Sequence, residues 1–144
     1  MKNILASVDF KGKENLLIEK AKELGEKFSS KVWLIHVAAP DPDFVGYDAG
    51  PQFIRDNRAD ILREERRYLQ NFAESLNQNN IESEALLIQG ATVETILQKA
   101  ETLQIDLIIM GHQSHGIFYE AFFGNVSESI IKKSKIPVMV IPLD

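Results

Sequence analysis

Hydrophobic residues along this chain follow two periods in turn. Short, nearly continuous apolar runs occur at KNILASV (Lys2–Val8), KVWLIHV (Lys31–Val37), ALLIQ (Ala85–Gln89), DLIIM (Asp106–Met110) and IPVMVI (Ile136–Ile141). Runs of this length without strict alternation predict strands covered on both faces. Between them the apolar spacing lengthens to that of a helix. Leu17, Ala21, Leu24 and Phe28 form one stripe, with Glu14, Lys20 and Lys27 on the polar side. Ile54, Ile61, Leu69, Phe72 and Leu76 form a second, through a charged stretch that includes REERR (Arg63–Arg67). Those charges suit a solvated helix face laced with ion pairs. Val93, Ile96, Leu97 and Ala100 mark a third helix, with Thr92 after Gly90 as its expected cap. Val126, Ile130 and Ile131 mark a fourth, closed by the cations of KKSK (Lys132–Lys135), which complement a helix C-terminus.

Five strands alternating with four helices predict an α/β fold: an open five-stranded parallel sheet, right-handed crossovers, and helices on both faces. Pro137 fits an early position in a last strand at the sheet edge. A length of 144 residues predicts a single domain, 1–144. The one irregular insertion, at about 38–53, holds three of the five prolines. No apolar run approaches the roughly 18 residues of a membrane helix, and MKNILASVDF reaches Asp9 too soon for a signal peptide. A net charge of -5 argues against nucleic acid as a partner. With no cysteine, thiolate and disulfide chemistry are absent. The expectation is a cytoplasmic protein that binds neither nucleic acid nor membrane.

In such a sheet, ligands sit beyond the carboxyl ends of the strands, where strand order reverses. Asp9, Val37, Gly90 and Gly111 end the first four strands and so project from that edge. Gly111 permits a sharp turn or a close approach of backbone to ligand. Gly124 then opens the fourth helix, where the amides of Asn125, Val126 and Ser127 have no intrahelical partner. A free helix N-terminus beside a glycine is a ready anion site. The same glycines, with Asn125 as a cap, also fit plain turns.

The opening ILASVDF, the Met110-Gly111 pair and the ending GNVSESIIKKSKIPVMVI resemble the universal stress protein family over essentially the whole chain. The resemblance implies a Rossmann-like, adenine-nucleotide alpha-hydrolase-like fold, a homodimer paired through the last strand, and a protein partner not identified by the sequence. It also implies ATP binding, with Mg2+ as a possible companion, and a stress-response switch rather than an enzyme. Asp9 would then lie at the adenosine end, Val37 against adenine, and Met110 and Gly111 along the nucleotide. Gly124, Asn125, Val126 and Ser127 would meet the phosphates. The family pattern Gly-x2-Gly-x9-Gly-(Ser/Thr) falls on Gly111, Ser114, Gly124 and Asn125, so two positions match and two depart. Ser114 puts a Cβ where left-handed backbone costs about 1–2 kcal/mol. Asn125 replaces a hydroxyl whose charge-assisted hydrogen bond would be worth about 1.5–3 kcal/mol. The alternative is therefore a dimeric interaction protein of the same fold that takes no cofactor, and slow ATP hydrolysis is a third possibility.

The remaining signals shift this little. His112 and His115 suit hydrogen bonding near phosphate, or solvation, and no cysteine or carboxylate beside them suggests a metal. His36, inside a strand, fits a satisfied, half-buried histidine. There is no G-x-x-x-x-G-K-[ST] loop. Ser127 and Ser129 have no evident histidine partner, so no catalytic residue is assigned. Tyr47 and Arg55 could reach a nucleotide from the insertion, or serve only local roles.

Overall fold

The computed structural model describes residues 1–40, 52–113 and 126–143. Among these residues nine elements alternate: β1 (Asn3–Ser7), α1 (Glu14–Phe28), β2 (Lys31–Ala38), α2 (Gln52–Gln78), β3 (Ser83–Gln89), α3 (Thr92–Thr102), β4 (Leu107–His112), α4 (Val126–Lys133) and β5 (Val138–Pro142). All strand pairs are parallel, in the order β3-β2-β1-β4-β5. The chain moves outward from β1 to β3, then returns to lay β4 on the other side of β1. Strand order therefore reverses between β1 and β4, where the crevice of a doubly wound sheet lies.

Each strand sends alternate residues to opposite faces. Ile4, Ala6 and Val8 join Val32, Leu34, Leu107 and Ile109 in one core with Leu17 and Ala21 of α1 and Leu69, Ala73 and Leu76 of α2. Leu5, Ile35, Ile108 and Met110 form the second core with Ile96 and Ala100 of α3 and Ile130 of α4. Helices thus cover both faces, as the apolar runs predict.

Several local expectations need correction. Thr92 is the first helical residue of α3, not its cap; Ala91, in extended backbone, holds the cap position without a side-chain bond. Phe28 is 52% exposed and Ile61 43% exposed, so neither completes its stripe. Helix α2 explains the second case. Its 27 residues span roughly 40 Å, against roughly 26 Å for the eight residues of β2. Running back against the strands, its first half overhangs their carboxyl ends and has no sheet beneath it. Glu14 is buried rather than solvated, its Oε1 accepting the Gly12 amide. Edge position holds for β5, with Pro137 just before it.

At the amino ends of the two central strands, Asp106 ties the chain start to the sheet. Its Oδ2 accepts the amides of Lys2 (2.7 Å) and Asn3 (2.9 Å), and these bonds hold its carboxyl below the ordinary aspartate range. A depressed folded value contributes stability above the unfolded value and loses it as pH falls through the folded one. Asp106→Asn is therefore expected to lower the melting temperature at pH 7 and to narrow the difference between pH 7 and pH 3. Equal melting of the two proteins at pH 7 would remove this role.

Candidate functional site

A cavity of about 390 Å³ opens at the carboxyl end of β1, between β2 and β4. Asp9, Val37, Met110, Gly111, His112, Val126 and Ser127, all expected from the sequence, line it together. Ser114, His115, Gly124 and Asn125 lie outside the described residues, as do Tyr47 and most of the 38–53 insertion. Arg55 is exposed and donates to Gln52 Oε1 (2.6 Å) on its own helix, and it does not line the cavity.

Each wall follows from the fold. Register aligns Ser7 with Ile35 on one side and Met110 on the other, so the strand ends form the floor. Val37 and Met110 belong to the core on the α3/α4 face and give the cavity an apolar side. Asp9 leaves β1 with its Oδ1 accepting the Lys11 amide (3.2 Å), which curls the following turn inward. Lys11 lines the cavity as well. From the other side come Ala91 and Thr92 at the start of α3 and Val126 and Ser127 at the start of α4. Two helices therefore aim their amino ends, whose first amides have no intrahelical partner, and their positive dipole ends at one space. Among the described residues, the ionisable ones lining it are Asp9, Lys11, His36 and His112, of which one is acidic. This is chemistry for an anion.

His112 does find a serine partner, contrary to the sequence expectation. Its Nδ1 lies 3.2 Å from the Ser127 hydroxyl, and Ser127 is buried. Their separation of fifteen positions hid the contact, although strand end and helix start must meet at this edge. Sequence reasoning also left out Lys11 and the role of His36 in the wall. For Lys11 the available signal was its place two residues after Asp9.

Gly111 needs a further correction. It does not end β4 in a turn: β4 continues to His112, pairing Gly111 with Ile141 and His112 with Pro142. A Cβ on Gly111 would lie 2.3 Å from Leu143 Cδ1. The nearest neighbour of such a Cβ is therefore the Leu143 side chain, on the face away from the α3/α4 core, which would have to shift, while the backbone of Gly111 still lines the cavity.

The fold and cavity define a doubly wound α/β protein with an anion-ready pocket at its switch point. Residues 1–142 match the model of the universal stress protein family, and the chain belongs to that family. A universal stress protein of Thermus aquaticus, named for the 3′ region of QAH/OAS sulfhydrylase, is 27% identical, covering 97% of this chain and 98% of its own. The solved structure of MJ0577 from Methanocaldococcus jannaschii is 26% identical at a TM-score of 0.77, covering 99% of this chain and 96% of that one. The universal stress protein of Archaeoglobus fulgidus, solved in complex with dAMP, shares the fold at 17% identity and a TM-score of 0.63, covering 98% and 97%. Among the described residues, no helix is long and apolar enough to cross a membrane.

Proposed function

We propose that this chain binds an adenine nucleotide, with Mg-ATP as the first candidate, and acts as a binding switch rather than an enzyme. The observation that carries this is the pair of helix amino ends at α3 and α4 facing one cavity at the switch point of the sheet. Phosphate would sit against the first amides of α4, beside Ser127 and His112. The base would lie toward Val37, and Asp9 would meet the adenosine end. A relative of this fold crystallised with dAMP supports the same class of ligand. A binding role is favoured because, among the described residues, the one carboxylate lining the cavity, Asp9, is engaged by the Lys11 amide. A bound ligand that favours one arrangement of the loops shifts their population, which is the physical basis of a switch.

The chain is also read as a homodimer through β5, whose outer edge has backbone groups available for a second strand. Calorimetric titration of nucleotide-stripped protein with Mg-ATP, and separately with AMP, is expected to give saturable heat at one site per chain. No heat at millimolar nucleotide would overturn the ligand. Sedimentation of the same sample at the mass of one chain would overturn the pairing.

A further inference from the structure

Histidine 36 faces two oxygens at once. Its Nδ1 lies 2.7 Å from the carbonyl oxygen of Val8, and its Nε2 lies 2.6 Å from Glu65 Oε2 on α2. The two side chains are only 12% and 23% exposed. An oxygen cannot donate to a ring nitrogen unless it carries a proton, so the arrangement is satisfied with one proton in each contact. The ring is also packed: Phe10 lies 4.5 Å from it, and Tyr68 of α2 lies 5.6 Å beyond Phe10, edge-on. Phe10 has left-handed backbone (φ 58), which a residue of its size rarely adopts. Its neighbours in the chain, Asp9 and Lys11, both line the cavity. Glu65 itself does not, so it can reach a ligand only through what it holds.

We propose that Glu65 and His36 form a clamp that positions Asp9 and Lys11 for ligand by fixing the Val8 carbonyl and the strained Phe10 between β2 and α2. It deepens the nucleotide reading above and rests on it for the identity of the ligand. Glu65 and His36 are positioning residues: the carboxylate sets the orientation and proton placement of the ring, and the ring sets the turn after β1. The coupling is reciprocal. A ligand that orders Asp9 and Lys11 must also steady the overhanging half of α2, which meets the sheet edge here through Glu65 and through Arg58, a donor to the Ala39 carbonyl.

The test compares the full-length protein with Glu65→Ala and Glu65→Gln. In the wild type without ligand, nitrogen-15 spectra should show slowly exchanging protons at the two His36 ring contacts. With Glu65→Ala the amide of Lys11 should exchange faster, and Mg-ATP should bind roughly tenfold more weakly, within the usual range of coupling between sites. The amide introduced by Glu65→Gln can donate to Nε2 while Nδ1 still donates to Val8, so affinity should return to within about threefold of wild type. Melting curves of both variants guard against simple unfolding. Wild-type affinity in Glu65→Ala, or unchanged exchange at Lys11, would overturn the clamp. A wild-type chain that binds no Mg-ATP would sink the nucleotide reading instead, and the ring protons and Lys11 exchange would still decide the clamp.

Discussion

Ser127→Asp is expected to remove detectable binding of Mg-ATP. Ser127 is the second residue of α4, and an acidic side chain there complements the helix dipole. Ser127 is buried, so the dipole only partly offsets the cost of a carboxylate there, and melting curves check that the variant folds. The new carboxylate would stand in the cavity against the ligand's phosphates and would compete for His112, now 3.2 Å from the Ser127 hydroxyl. Losing one charge-assisted hydrogen bond costs about 1.5–3 kcal/mol, or roughly one to two decades of affinity. Like-charge repulsion adds to that. Ser127→Ala, which deletes the hydroxyl but leaves the amides, should lose less than about one decade. Titration calorimetry of the three proteins decides the matter. Unchanged affinity in the aspartate variant would move the phosphates away from α4.

The largest expected effect on stability is that of Leu69→Ala. Leu69 is fully buried in the core that α2 shares with Val32 and Leu34. Truncating such a leucine costs about 2–5 kcal/mol, the spread reflecting how far the site collapses. For a chain of this length that lowers the melting temperature by roughly 5–15 °C. Ile61, eight residues earlier on the same helix, offers the comparison. At 43% exposure, Ile61→Ala should stay within about 0.5 kcal/mol of wild type. Thermal unfolding followed by circular dichroism would distinguish them, and equal losses at the two positions would contradict the division of α2 into a packed half and an overhanging half.

That division marks where sequence patterning stops being informative. The strands were legible because burial on both faces leaves few polar interruptions, and four helices followed from stripes that meet one of two cores. Ile61 and Phe28 carry the same period as Leu69 and Ala21, yet periodicity reports only a shared face. It does not report whether a sheet lies beneath. The cavity's position was legible from topology, since strand ends and helix starts in a parallel sheet must meet on one side. Its hydrogen bonds were not. Glu65 reads as one charge among five in REERR, and only the tertiary fold sets it 2.6 Å from His36. The His112–Ser127 contact was hidden in the same way. At α3 the sequence named a threonine as cap, but backbone geometry placed the cap one residue earlier, at Ala91.

The packing of Leu143 against Gly111 has a consequence for how such chains drift. A glycine in the middle of a ligand motif is ordinarily taken as a trace of selection by the ligand. Here a Cβ would lie 2.3 Å from Leu143 Cδ1 and 3.0 Å from its Cγ, so a side chain at 111 needs that leucine to shift. The two positions are thus coupled as a pair: a lineage released from any ligand would still favour the glycine while the leucine kept its present rotamer. Among descendants of this sequence, the first to acquire alanine at 111 should be those in which residue 143 has already become smaller.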